Sequence, residues 1–316
     1  MRLKTKVIVN PESNRGRTRK RWSEIRDGLK HFVREFKVEF TEKPFHATDL
    51  AREAIKDGAE LVIGVGGDGT MNEIANGFYE DRRIINPQAA LGVVPAGTGC
   101  DLVKSLNIPF GLKGALKVLT DAPGVRMDVG RVRYTSNAGD EEERYFLNVA
   151  DFGLGGEVVR EVTERRLQRK ASSYVRCLVS TMLRYRNKHV RIRVDGRSLP
   201  DGEYLIGAVA NGKIFGKGMK VAPDARLDDG LFDAVLVRGF RFVEFCRHGW
   251  KLMNGTHVTH PKVSVLKGRR VEAWAGVEGE EVLLELDGDQ LGRLPATFEL
   301  VPRTLLVRGF LQPVGR

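Results

Sequence analysis

Gly66-Gly67-Asp68-Gly69-Thr70 is where residue types and spacing first point to chemistry. The stretch follows the apolar run 61–65 and precedes a helix-like segment at 71–78, beginning Met71-Asn72-Glu73. Strand, glycine turn and helix in that order gather backbone N–H groups at a positive helix end, where phosphate binds. Three glycines let the main chain approach a ligand closely, because no Cβ stands in the way. Thr70 with Glu73 reads as a capping box that sets the helix start. Asp68 is the odd member, since a carboxylate repels phosphate unless a cation or a hydroxyl intervenes. An acid kept in such a place suggests magnesium-nucleotide chemistry. The plainer alternative is a tight turn whose Asp serves turn geometry.

Other segments extend the pattern. Asn10-Pro11-Glu12-Ser13-Asn14-Arg15-Gly16 follows the first apolar run and so lies at the same sheet edge. Asn10 and Ser13 offer neutral hydrogen bonds, while Arg15, Arg17, Arg19, Lys20 and Arg21 offer charge to phosphate oxygens. Read alone, it is a basic loop. Pro95-Ala96-Gly97-Thr98-Gly99-Cys100-Asp101 repeats the logic, with Asp101 three residues after Thr98 as a second capping arrangement. Two glycine-threonine turns at successive strand ends argue for one cradle.

The second half carries acids instead. Asp224, Asp228, Asp229 and Asp233 put four carboxylates within ten residues, broken by Gly230. They suit a hard cation with backbone carbonyls, or simply an acidic turn leading into the strand at 232–237. Leu286-Asp287-Gly288-Asp289-Gln290 reads first as an Asp-Gly hairpin turn. Val194-Asp195-Gly196-Arg197 is the same turn without a second acid. Asp289 is therefore the residue that stands out, a candidate base for a substrate hydroxyl. His257 and His260 have i, i+3 spacing but no acidic partner arrangement, and read as structural or surface residues.

The elements that must hold these residues fall into two regimes. Over the first 120 residues, strand signals at 7–10, 38–41, 61–65 and 91–95 alternate with helix signals at 22–36, 48–56, 70–78 and 101–106. Gly58 closes the second helix as a C′ residue. This alternation predicts a mostly parallel sheet with ligands at its carboxyl edge. After Pro123 come short strand-like runs, at 125–134, 144–149, 190–194, 204–210, 232–237, 263–265, 271–275 and 282–286, with one helix at 242–253. That half predicts an antiparallel sandwich. The fold class expected is an α/β nucleotide-binding domain plus an all-β sandwich domain.

Composition sets the bounds. At 316 residues the chain outgrows a single core. A hydrophobic content of 41% with 29% charge is ordinary for a globular protein. No apolar run reaches the roughly 18 residues of a membrane span, and no signal-peptide core follows Met1. Cys100, Cys177 and Cys246 are odd in number and far apart, which excludes a disulfide framework and fits a reducing cytoplasm. The net charge of +11 is concentrated. Between Arg160 and Arg193 eleven Lys and Arg stand against Glu161 and Glu164, a local excess of +9. A basic helix with an apolar side suits an anionic membrane surface, at about 1 kcal/mol per basic residue near the lipid. A solvated helix face is the alternative. No nucleic-acid motif accompanies the charge, so nucleic acid is not expected as a partner.

Taken together and in this order, the segments resemble the bacterial diacylglycerol kinase-like lipid kinases, relatives of the sphingosine and ceramide kinases. The resemblance runs through Asn10-Pro11, Gly66 to Thr70, Gly97-Thr98-Gly99 and Asn148-Val149-Ala150-Asp151-Phe152-Gly153. It continues through Phe215 to Met219, Ala222-Pro223-Asp224-Ala225, Asp228 to Asp233 and Asp287-Gly288. The glycine turn alone also fits NAD kinases and phosphofructokinases, whereas the segments at 215–219 and 229–233 do not.

The resemblance implies an ATP-binding domain over 1–124, to which a C-terminal strand at about 297–316 returns, and a β-sandwich lipid domain over 125–296. It implies that Asn10, Pro11, Glu12, Ser13, Asn14, Thr41, Gly66, Gly67, Asp68, Gly69, Thr70, Met71, Asn72, Glu73 and Thr98 hold ATP. The carbonyls of Arg226 and Leu231, with Asp229, would hold a structural magnesium. Asp289 would accept the proton, with Asp287 beside it and Asp68 completing the catalytic acids. The implied product is a phosphorylated lipid, made by a peripheral protein expected at the cytoplasmic face of the inner membrane and compatible with a homodimer. Two positions depart from the family pattern: Cys100 where Asn is usual, and Asp289 where the longer Glu is usual. They leave open a lipid- or nucleotide-binding regulator without catalysis, and the shared glycine turn leaves open an NAD kinase-like enzyme acting on a soluble substrate.

Overall fold

The computed structural model describes residues 3–164 and 176–311 in full, and the backbone alone of 171–175. The chain forms two compact units, Met1–Val129 with Pro302–Arg316, and Gly130–Val301. In the first, β1 (Thr5–Val9), α1 (Ser13–Phe32), β2 (Lys37–Phe40), α2 (His46–Lys56), β3 (Leu61–Gly66) and α3 (Asp68–Gly77) alternate. A small hairpin of β4 (Tyr79–Glu80) and β5 (Arg83–Ile84), then β6 (Ala90–Pro95), α4 (Asp101–Ser105) and α5 (Leu112–Asp121) follow.

The second unit is mostly strands. Before its helical segment come β7 (Gly124–Ser136), β8 (Glu141–Phe146) and β9 (Val149–Gly153), then α6 (Leu154–Glu164) and α7 (Ala171–Arg184). The strands resume with β10 (Lys188–Val194), β11 (Arg197–Ser198), β12 (Gly202–Ala210) and β13 (Phe232–Arg238). Two short helices, α8 (Phe242–His248) and α9 (Lys251–Asn254), precede β14 (Val263–Gly268), β15 (Arg270–Ala275), β16 (Leu283–Leu286) and β17 (Asp289–Arg308). The chain leaves the first unit within β7 and re-enters it within β17.

In the first unit β2, β1, β3 and β6 lie side by side, all parallel. The end of β17 adds to β6, also parallel, through Leu306 and Val307. Every residue of β3 is buried, as expected of a parallel strand covered on both faces. Helix α2 buries Ala47, Leu50, Ala51, Ala54 and Ile55, an unbroken helical stripe. Gly58 follows its C-cap at φ 84°, the left-handed turn that favours glycine. Helix α5 buries Ala115, Leu116, Val118 and Leu119, in a segment where no helix was expected.

In the second unit β12 pairs antiparallel with both β9 and β13, and β13 with β14. On the other side β9 pairs with β16, β16 with the start of β17, that with β15, and β15 with β10. The start of β12 pairs back onto β10, so the sandwich closes like a barrel. Phe146, Phe152, Phe232 and Phe298 fill its core, and Phe146 stacks on Phe232 at 5.6 Å. The single strand expected at 144–149 is two strands, β8 and β9. The break has a cause: the N–H groups of Leu147, Asn148 and Val149 donate to the carboxylate of Asp287 instead of to a neighbouring strand.

Candidate active site

Three loops meet at the carboxyl edge of the parallel sheet. Asn10 follows β1 and donates from Nδ2 to Thr70 Oγ1 at 3.0 Å, and its N–H bonds Val65 O at 3.0 Å. Ser13 Oγ donates to Asn10 O and lies 2.5 Å from Thr18 Oγ1. Thr18 in turn reaches Ala96 O, at 3.4 Å. Thr41 joins the same edge through its N–H on Val9 O at 2.9 Å. Asn14, Arg15 and Gly16 are all left-handed, with φ of 50°, 61° and 71°. Two such non-glycine residues cost about 1–2 kcal/mol each. The regular part of α1 therefore starts after Gly16.

The two glycine turns lie against each other. A Cβ on Gly97 would fall 2.4 Å from the Cα of Gly67, so the second turn tolerates no side chain at Gly97. A Cβ on Gly66 would meet Thr70 Oγ1 at 2.5 Å. Helix α3 starts at Asp68 with Gly67 as its N-cap, and no capping box forms. Thr70 lies already inside the helix and accepts from Asn10. Glu73 instead accepts the N–H of Ala47 at 3.2 Å, tying α3 to α2. Met71 is a core residue, and Asn72 is buried beside it.

Asp68 reaches across to the second turn, where its Oδ1 accepts the N–H of Leu102 at 3.2 Å. That turn also lacks the expected side-chain cap. Cys100 occupies the N-cap position at φ 50°, Asp101 is the first helical residue, and Thr98 stays exposed. A left-handed N-cap explains why Asn, which tolerates that region, is the residue expected there. Burial and the nearby Asp68 push the Cys100 thiol up to about 12. Asp101 pairs with Lys104 at 2.6 Å.

The acids of the second unit sit in distinct surroundings. Asp287 and Gly288 form the two-residue turn between β16 and β17, both left-handed at φ 48° and 100°. Asp287 accepts three backbone N–H groups, from Leu147 at 2.7 Å, Asn148 at 2.9 Å and Val149 at 3.1 Å. The comparison turn behaves alike: Asp195 accepts the N–H groups of Arg269 and Arg270. Asp289 is half-buried and opens β17. Its neighbours hold it on both sides. Gly288 N–H donates to Glu285, and Gln290 exchanges hydrogen bonds with Asn137 at 3.0 and 3.2 Å. Asn211, fully buried, donates to Leu147 O at 2.7 Å and joins the same network.

One buried pair had not been singled out in the sequence. Asp151 and Glu285 are direct partners across the β9–β16 ladder, and both are inaccessible to solvent or nearly so. Burial raises Asp151 to about 6. Burial and the facing Asp151 push Glu285 well above the usual carboxylate range. Two buried carboxyls facing each other disfavour ionisation of both. The available signal was an acid inside the apolar run Val149-Ala150-Asp151-Phe152.

The acidic loop is partly self-neutralised. Lys267 Nζ lies 3.2 Å from both Asp229 and Asp233, and Arg226 holds Asp228 at 2.9 Å. Asp229 also accepts the N–H of Leu231 at 3.1 Å. Among the described residues no three Asp, Glu, His or Cys side chains gather as a metal cluster. A hard cation there would draw on one carboxylate and peptide carbonyls, a donor set that magnesium accepts when waters complete it.

An apolar cleft opens in the second unit. Leu154 and Val158 of α6, Leu178 of α7, Val235 of β13, Phe245 of α8 and Leu252 line it. His257, read as structural, lines it too and bonds Val221 O at 3.0 Å. Such a lining suits hydrocarbon. The basic segment contributes Leu178 to this lining, and its charge is partly matched. Arg160 pairs with Glu157 at 2.6 Å and Arg184 with Glu161 at 2.7 Å. Arg165, Arg166, Arg169 and Lys170 lie outside the described residues.

Comparison with known proteins fits these features. Residues 4–132 match the family described as the diacylglycerol kinase catalytic domain. Residues 148–309 match the YegS C-terminal NAD kinase beta sandwich-like domain. The chain belongs to the diacylglycerol kinase-like family. A diacylglycerol kinase of Staphylococcus carnosus is 29% identical over 300 residues, covering 94% of this chain and 92% of the relative. One from Staphylococcus aureus strain MRSA252 is 29% identical, with 94% and 90% covered. A diacylglycerol kinase crystal structure from Bacillus anthracis superposes with a TM-score of 0.71 at 22% identity, covering 98% and 97%. Yeast NADH kinase shares the fold more distantly, with a TM-score of 0.51, 12% identity, and 97% and 83% covered. The diacylglycerol kinase-like family makes the chain a phosphotransferase, and the two-domain fold, α/β plus β-sandwich, is the one expected.

Proposed function

We propose that this phosphotransferase is an ATP- and magnesium-dependent lipid kinase acting on the hydroxyl of diacylglycerol or a related lipid. The apolar lining of the cleft carries the proposal, because a kinase for a soluble substrate has no use for it. The turns at 66–70 and 97–99, with Asn10, Ser13 and Thr41, hold the triphosphate against backbone N–H groups. Magnesium, when bound, neutralises charge on the β and γ oxygens. Asp68 is the acid of this unit placed to orient a cation or its water. Arg226, Asp229 and Leu231 would hold a second, structural magnesium. Asp289 takes the proton of the lipid hydroxyl as its oxygen attacks the γ-phosphorus in line. The new bond is lipid oxygen to γ-phosphorus; the bond to the β–γ bridging oxygen breaks, and ADP leaves. Asp287 fixes the turn that carries Asp289. The cytoplasmic face of a membrane, where such lipids lie, is the proposed place of work.

Yeast NADH kinase shares the fold, which keeps a nicotinamide-nucleotide substrate as a second reading. Transfer of label from γ-labelled ATP to a panel of lipids in mixed micelles, with NAD in a parallel tube, separates the two. Label in a lipid supports the proposal and names the substrate. Label only in NAD sinks it, and ATP binding without any transfer would identify a regulator.

A further inference from the structure

We propose that the outer face of the α8–α9 helix is a membrane-docking surface that inserts into anionic phospholipid. Gly249 and Trp250 join the two helices with right-handed backbone, at φ −59° and ψ −29° and at φ −59° and ψ −25°. Residues 242–254 therefore run as one helical segment with two apolar stripes. The inner stripe, with Phe245 and Leu252, lines the cleft. The outer stripe points away from it: Val243 is 75% exposed, Trp250 61% and Met253 57%. Their steps of seven and three residues keep them on one helix face. A helix apolar on opposite faces belongs between two apolar media, and the cleft is only one of them.

Charge selects the second. Arg241 and Arg247 are exposed on this segment and Lys251 half-buried, while its one acid, Glu244, is matched by Lys262 at 2.6 Å. Trp250 donates its indole N–H to Arg247 O at 3.2 Å, so its ring can leave water without an unpaired donor. Large apolar tips among cations, with Trp at the boundary, suit the headgroup region of an anionic bilayer. A second copy of the chain suits it less, because a two-fold contact sets the same cations against themselves. The surface is a different segment from the 160–193 stretch. Its geometry stands without the kinase reading, but the choice of a lipid partner rests on it.

Trp22→Phe with Trp274→Phe leaves Trp250 as the sole indole of the full chain. Adding vesicles of phosphatidylcholine and phosphatidylglycerol should shift its emission to the blue, and brominated lipid should quench it. Trp250→Glu with Met253→Glu, at exposed positions that keep the fold, should weaken vesicle binding about tenfold or more. Iodide quenching of Trp250 unchanged by saturating vesicles would overturn the proposal, as would equal binding by the double variant. A native dimer that this variant turns into monomers would assign the face to self-association instead. Transfer to lipid dispersed in micelles reports on the other reading alone. Lost transfer with Trp250 still inserting would remove the kinase and leave the docking surface.

Discussion

Glu285, Asp287 and Asp289 occupy one hairpin, yet each meets different surroundings and so has different chemistry open to it. Asp287 is saturated by three peptide N–H groups. Replacing it with Ala orphans all three, and should lower stability by about 3 kcal/mol in chemical denaturation. Glu285 is raised well above the usual carboxylate range by burial and the facing Asp151, which burial itself raises to about 6. Both carboxyls bind protons more tightly folded than unfolded. Their contribution is thus complete at acid pH, and is lost as pH rises from the ordinary carboxylate range through about 6 for Asp151. Glu285→Gln keeps an acceptor for Gly288 and removes one acid. We expect it to gain about 1–3 kcal/mol over the native chain at pH 8 and little at pH 4, measured by thermal melting. Asp289 carries its half-buried carboxylate at the start of β17. Asp289→Asn should cut lipid phosphorylation by about 10²–10⁴ while ATP affinity holds, and full activity in that variant would remove Asp289 as the base. The Asp-Gly turn and the odd second acid were legible in the sequence. Glu285 was not, because what distinguishes it is a partner 134 positions away in sequence, Asp151.

At the scale of elements, the phosphate cradle depends on two turns touching without side chains. Gly97→Ala places a methyl 2.4 Å from the Cα of Gly67, and backbone on both sides cannot yield cheaply. Nucleotide affinity should fall about tenfold or more, with 1–3 kcal/mol of stability, in calorimetric titration and melting. The strand-turn-helix order was plain from Leu61 onward, because β3 is apolar throughout and glycine follows at once. The capping boxes were misread. Thr70 and Glu73 have the right spacing, but α3 begins two residues before Thr70 and Glu73 is drawn to α2. Spacing does not reveal where a helix starts when a glycine serves as its cap. Helix α5 was missed although Leu112, Ala115, Leu116 and Leu119 have helical spacing.

For the whole molecule, the change of rhythm near Pro123 was enough to separate an α/β half from a β half, since the apolar period changes from helical to two. What it could not show is the closure of β12 onto β10, a pairing that depends on where distant strands end. The three thiols sample different parts of the molecule. Cys100 and Cys177 are buried and Cys246 is exposed. Buried and with its thiol pushed up to about 12, Cys100 should react with iodoacetamide far more slowly than the exposed Cys246, as followed by mass spectrometry. Similar rates at both would mean that the second glycine turn opens readily in solution.

The return of β17 also orders events in time. Strand β6 gains its outer neighbour only when Leu306 and Val307 arrive. During synthesis, residues 130–301 must be made after the first unit's other strands and before that edge is covered. At ribosomal speed this interval is on the order of ten to thirty seconds. Throughout it a nascent sheet presents an open edge. The chain therefore has reason to engage a chaperone in that window, and a release of that engagement as the last strand emerges.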